Sequence, residues 1–157
     1  MPPSWIVSIH EITNRLEAAV LVDFRTLLAD AVAHRYTLGF FESWEHYSLE
    51  AVVEAADELG VPVIAGFGES VVSTDWFEAY GVEGLAAMGV AVARRARQPV
   101  GLIFNEVASF AHVMRGIVAG FNAVMLDSGH LQMSEHREWT RRVVEAAHPV
   151  GVGVEAE

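Results

Sequence analysis

SLEAVVEAADELGVPVIA, residues 48–65, carries both halves of the unit from which the fold is read. Leu49, Val52, Val53, Ala56 and Leu59 recur at helical spacing on one face, while Glu50, Glu54, Asp57 and Glu58 stay outside it. Ser48 is placed to cap this helix and Gly60 to stop it. Val61 to Ala65 then reads as a strand, apolar throughout instead of alternating. A continuous apolar run means that both faces are buried, as in parallel sheets covered by helices.

The unit recurs in both directions. Upstream, Leu27–Arg35 reads as a helix, followed by a strand from Tyr36 to Phe41. Downstream, helices over Leu85–Arg97, over Ser109–Ala119 and from a Ser134 cap to His148 alternate with strands. Those strands are Pro99–Phe104, Phe121–Leu126 and Val150–Ala156. The class is α/β, with parallel strands in sequential order. Residues 1–22 fall outside the rhythm and read as an N-terminal extension with a short helix from Asn14 to Val20, leaving 23–157 as the domain. The strand pattern fits either a small doubly wound sheet or the first part of a barrel. The cluster Gly66-Phe67-Gly68-Glu69-Ser70 lacks the third glycine of a dinucleotide fingerprint.

Composition excludes several functions. The 157 residues contain no Cys, so disulfides, thiolate nucleophiles and Cys-based zinc sites are impossible. All ten basic residues are Arg. Without Lys there is neither a Schiff-base amine nor a P-loop. A net charge of −11 argues against nucleic acid as a partner. No apolar stretch is long enough to span a bilayer, and MPPSWIVSIHEITNR lacks a basic start followed by an apolar run. The expectation is a cytoplasmic protein without a membrane partner. Of the histidines, His34, His112, His136 and His148 read as solvated helix surface, whereas His46 and His130 lie in loops that can approach a site. Ser43 and Ser128 have no neighbouring base in sequence. Phe40, Phe41, Trp44 and Tyr47 read as core.

The segment Gly120-Phe121-Asn122-Ala123-Val124-Met125-Leu126-Asp127-Ser128-Gly129-His130, followed by a helix and Val152-Gly153-Val154-Glu155-Ala156-Glu157, resembles the class II (metal-dependent) fructose-bisphosphate, or ketose-bisphosphate, aldolases. That family carries G-F-x-S-V-M-x-D-G-S-H before a helix and a strand ending V-E-x-E-L-G. The resemblance runs over roughly residues 24–157. It implies a TIM barrel, (β/α)₈, of which this chain holds about the first five strands, and a lyase of carbohydrate metabolism.

The same resemblance places the site residues and shows where they depart from the family. The family's third strand ends H-L-D-H-G, where this chain reads Ile103-Phe104-Asn105-Glu106-Val107. Asn105 stands at the acid/base Asp and Glu106 at a catalytic zinc histidine. Glu42 stands at a substrate-contacting Asn, and Gly68 at a Ser after the second strand. Asp127 and Glu157 align with acids that hold an additional metal position. An amide has no proton to exchange near neutral pH, and general acid/base catalysis is worth ~10²–10⁴ in rate. Canonical activity is therefore expected to be altered or lost. Glu106, Asp127 and Glu157 are the candidate metal ligands, and three carboxylates favour Mg²⁺ or Mn²⁺ over the family's zinc. Equally, each acid can end a strand in water or cap the next helix.

A whole barrel of this kind takes about 250 residues. The chain therefore reads as a truncated product, as half of a barrel completed by a second chain or copy, or as a non-catalytic binding or assembly module. A sugar phosphate is the substrate expected from the resemblance.

Overall fold

The computed structural model describes residues 20–157. Helix α1 (Phe24–His34) precedes strand β1 (Gly39–Ser43), α2 (His46–Leu59) and β2 (Val63–Gly68). A 3₁₀ turn over Glu69–Val71 leads to α3 (Thr74–Ala93), β3 (Val100–Val107) and α4 (Phe110–Ala119). The chain continues through β4 (Ala123–Leu126), α5 (Met133–Ala147), a second 3₁₀ turn (His148–Val150) and β5 (Gly153–Glu155). The strands form one sheet in the order β1-β2-β3-β4-β5, and every neighbouring pair is parallel. This is the α/β, sequential arrangement expected.

Strand alternation divides the core between the two faces of the sheet. On one face Val63, Ala65, Phe67, Val100, Leu102, Phe104 and Val124 pack against Leu49 and Val53 of α2, Leu85 of α3, Val113 of α4 and Val143 of α5. On the other face Ile64, Ile103 and Ala123 meet Val22 and Phe24 and Leu27 of α1. Helix α1 thus covers the N-terminal half of the inner face, leaving its C-terminal half to the side chains of the site. Residues 20–22, counted above with the extension, run beside β3. Val100 donates its N–H to the Val20 carbonyl at 2.7 Å, and Val22 donates to that of Val100 at 2.9 Å. The helix expected over Asn14–Val20 falls almost wholly outside the described residues, as does His10.

Several boundaries differ from the pattern reading, each for a local reason. Tyr36 closes α1 instead of opening β1: its N–H donates to the Ala31 carbonyl at 3.1 Å and its hydroxyl to Asp30 at 2.9 Å. The cap of α2 is Glu45, which accepts the N–H groups of Tyr47 at 2.8 Å and Ser48 at 2.6 Å. Ser48 sits three residues in and completes a capping box. Ser134 likewise lies inside α5, behind the cap residue Gln132. Helix α3 begins eleven residues before the expected Leu85, at Thr74. Gly81, at φ 63° and ψ −167°, splits it into two helical pieces. Its aromatic first piece shows no clean apolar stripe. The sheet edge β1 is not covered on both faces, so Phe40 (37%), Phe41 (53%), Trp44 (61%) and Tyr47 (77%) are exposed and are not core. Among the described residues no helix is long and apolar enough to cross a membrane.

Gly66 is required by the closeness of β2 and β3: a Cβ there would collide with the backbone carbonyl of Ile103, its register partner. Since β3 is central and cannot yield, Gly66→Ala is expected to cost about 2–3 kcal/mol. Urea unfolding of the two chains checks this, and an unchanged midpoint contradicts the tight β2–β3 packing.

Candidate functional site

The chemistry-bearing side chains gather at the C-terminal ends of the strands. Asn105, near the end of β3, is 7% exposed and donates from Nδ2 to Oε1 of Glu42 on β1 at 2.9 Å. A carboxylate only accepts, so the amide nitrogen must face it. Gly68, on the intervening strand, is the register partner of Asn105. A Cβ at Gly68 would collide with the Glu42 carboxylate. Three of the sequence-derived positions, Glu42, Gly68 and Asn105, therefore form a single arrangement. The Oδ1 of Asn105 is buried with no hydrogen-bond partner, as is Oγ of Ser43. Each such atom costs about 1–3 kcal/mol until a hydrogen-bond partner reaches it.

Glu106 is placed differently. The register between β3 and β4 shifts between Phe104 and Val107, and within that irregularity Glu106 takes a left-handed backbone, φ 46°. Bulges of this kind re-aim side chains at sheet ends. The Glu106 carboxylate accepts a hydrogen bond from Ser70 Oγ in the turn after β2. Asp127 follows β4, with His130 Nδ1 3.6 Å from its carboxylate and both side chains more than half exposed. Glu157 lies exposed beyond β5. Among the described residues no three His, Asp or Glu side chains are grouped so as to hold a metal ion. The candidates Glu106, Asp127 and Glu157 are therefore not brought together.

Three features escape a sequence reading because the groups involved lie far apart in the chain or on different elements. Glu69 accepts the Ala108 N–H at 3.0 Å and pairs with His112 Nδ1 at 2.8 Å. This ties the turn after β2 to the start of α4. His136 Nδ1 lies 2.9 Å from Ser128 Oγ, and Ser128 is only 2% exposed. His112 and His136 are thus anchored at the rim and are not free helix surface. His46 pairs with Glu50 along its own helix at 3.4 Å. Glu155 of β5 is the third feature: its carboxyl is held above the usual carboxylate range by burial first, then by the charges of Glu157 and Glu42. The alternation Val154-Glu155-Ala156-Glu157 was the available signal for this acid.

A sequentially ordered parallel β/α sheet with its polar side chains at the strand C-termini has the site layout of (β/α)-barrel enzymes. The family model for class-II fructose-bisphosphate aldolase matches residues 22–157, and the chain belongs to that family. It is 37% identical over 138 residues to the fructose-bisphosphate aldolase of Thermus caldophilus, covering 88% of this chain and 43% of that one. It is 30% identical over 138 residues to protein YdjI of Escherichia coli K12, covering 88% of this chain and 48% of that protein. The crystal structure of the YdjI aldolase superposes with a TM-score of 0.74 at 29% identity, covering 87% of this chain and 51% of that chain. The chain spans about half the length of the relatives it matches.

The raised carboxyl of Glu155 has a stability consequence. Its folded form binds a proton more tightly than the unfolded chain does, so the stability it contributes at low pH is lost as pH rises through the folded value. Glu155→Gln removes that loss. The variant is expected to be more stable than the parent at pH 7, with the gap closing below about pH 4, where Glu is protonated in both states. Chemical denaturation across this range reads the difference. A Gln variant less stable at pH 7 contradicts the placement of Glu155 among like charges.

Proposed function

We propose that this chain contributes the first five strands' share of a metal-dependent aldolase site that cleaves or forms a carbon–carbon bond in a sugar phosphate. The observation that carries the reading is the pairing of half-buried Glu42 with buried Asn105 at the C-terminal rim of a family-matched parallel sheet. A carboxylate and an amide on neighbouring strand ends can bind a substrate hydroxyl and hold its proton. In this family a divalent ion supplies the Lewis acid that stabilises charge developing on the substrate oxygens. The described residues do not fit such an ion by themselves, because no three of their potential ligands converge. An ion here would draw on Glu106, Asp127 or Glu157 for part of its shell and take the remaining ligands from outside the described residues. The oxygen character of these acids suits Mg²⁺ or Mn²⁺ as well as zinc. The open edges β1 and β5 are where further strands would pair, from the same polypeptide, a complementary chain or a second copy. The same reading places the protein in the cytoplasm and its residues 23–157 in one barrel-type domain.

A second reading follows from Asn105 itself, whose amide cannot transfer the proton that an acid at this position would. On that reading the chain binds or assembles without catalysing.

Cleavage of fructose 1,6-bisphosphate, followed by coupled detection of the triose products, separates the two. The aldolase reading expects turnover that a chelator abolishes and added Mn²⁺ or Mg²⁺ restores. Turnover that survives chelation contradicts the metal mechanism, since a chain without Lys has no covalent Schiff-base route. Sugar-phosphate binding without turnover supports the binding module.

A further inference from the structure

We infer that Glu42 is the proton-transfer group of this site, its carboxylate on β1 standing in for an acid at the position that Asn105 occupies on β3; the inference rests on the aldolase reading above and names the residue that performs its proton step. Three observations converge on it. The Asn105 amide holds no proton that can be exchanged near neutral pH, yet its Nδ2 donates to Glu42 Oε1 at 2.9 Å, so a carboxylate lies one hydrogen bond away. Gly68 has no side chain at the point where Glu42 crosses, and any Cβ there would strike the carboxylate. The residues at 42, 68 and 105 are therefore matched: a long acid, a gap and a donor. Finally, Oδ1 of Asn105 is buried without a donor. It is an acceptor in want of a hydroxyl, on the residue that already fixes the position of Glu42.

These contacts assign distinct tasks. Asn105 Oδ1 accepts the hydrogen bond of a substrate hydroxyl and so orients it, while its Nδ2 keeps the Glu42 carboxylate in place. In the cleavage direction Glu42 takes the proton from that hydroxyl. The O–H electron pair becomes the second bond of the aldehyde C=O. The adjacent carbon–carbon bond breaks, and its electron pair passes to the carbon beside the ketone as an enediolate, which later takes a proton from solvent. The addition direction reverses each transfer, and no oxidant or further reactant enters. Asn105 here is a positioning residue; Glu42 is the group that exchanges the proton. Ser70 already engages Glu106, and the ring of His112 engages Glu69, so neither Glu69 nor Glu106 is as free to do so.

The test exchanges the two functional groups without changing the net charge. Cleavage of fructose 1,6-bisphosphate and binding of dihydroxyacetone phosphate are measured for the full chain and for E42Q, N105D and E42Q/N105D, with circular dichroism to confirm that each variant is folded. In E42Q, kcat is expected to fall about 100-fold or more, with KM and the Kd for dihydroxyacetone phosphate changing by less than about threefold. In E42Q/N105D the hydrogen bond is kept with its direction reversed and the carboxylate is now on β3, so kcat is expected to recover roughly tenfold or more over E42Q. A purely structural role for Glu42 would not produce that rescue. A parent chain that cleaves while E42Q keeps more than about a third of its kcat overturns Glu42 and leaves the aldolase reading standing. So does a double variant that stays at the E42Q level. A parent that binds dihydroxyacetone phosphate without cleaving overturns the proton-transfer role, and one that does neither overturns the aldolase reading and this inference together.

Discussion

Glu42 reaches Asn105 across a strand that has no side chain in the way, and the arrangement of the rim follows from that gap. Neighbouring strands lie about 4.8 Å apart, so β1 and β3 are separated by roughly 10 Å. A glutamate and an asparagine extended toward each other can span this only if β2 presents nothing between them. Its inward positions there are Gly66 and Gly68. Gly66 lets the β2 and β3 backbones close up, and Gly68 leaves room for the carboxylate. An aspartate at 42 would be one methylene short of this hydrogen bond. The glycines at 66 and 68 thus serve a close approach of backbone and side chain instead of a phosphate loop.

The α/β class, the parallel order and the helix stops could be read from the chain because each depends on neighbours in sequence. Gly60 and Gly120 end their helices in the left-handed conformation, and Ser109 caps α4 by accepting the His112 N–H at 3.2 Å. What could not be read depends on tertiary partners. Tyr36 turns back on α1 through Asp30, and Gly81 joins two helical pieces whose first half lacks amphipathic spacing. The exposure of Phe41 and Tyr47 follows from β1 lying at the sheet edge, which composition does not reveal.

The candidate site divides along the same line. The resemblance in the motifs points to Glu42, Gly68, Asn105, Glu106, Asp127 and Glu157, most of them just after an apolar run. It could not show that a residue sixty-three positions away supplies the partner of Asn105, or that the β3 irregularity sends Glu106 toward Ser70. Burial acts on Glu155, whereas the motif points to Glu157, two residues on. Glu42, Glu69, Glu106, Asp127 and Glu155 also give the strand ends and the loops after them a markedly acidic set of side chains.

The central claim is that one hydrogen bond crosses β2, and nuclear magnetic resonance can observe that bond directly as a scalar coupling between Asn105 Nδ2 and the Glu42 carboxylate carbon. The account predicts a measurable coupling at neutral pH, with the Asn105 side-chain amide protons protected from solvent exchange. It also predicts that the coupling disappears in Gly68→Ala, where the added methyl displaces the carboxylate. An Asn105 amide that exchanges freely and shows no coupling to Glu42 would contradict it.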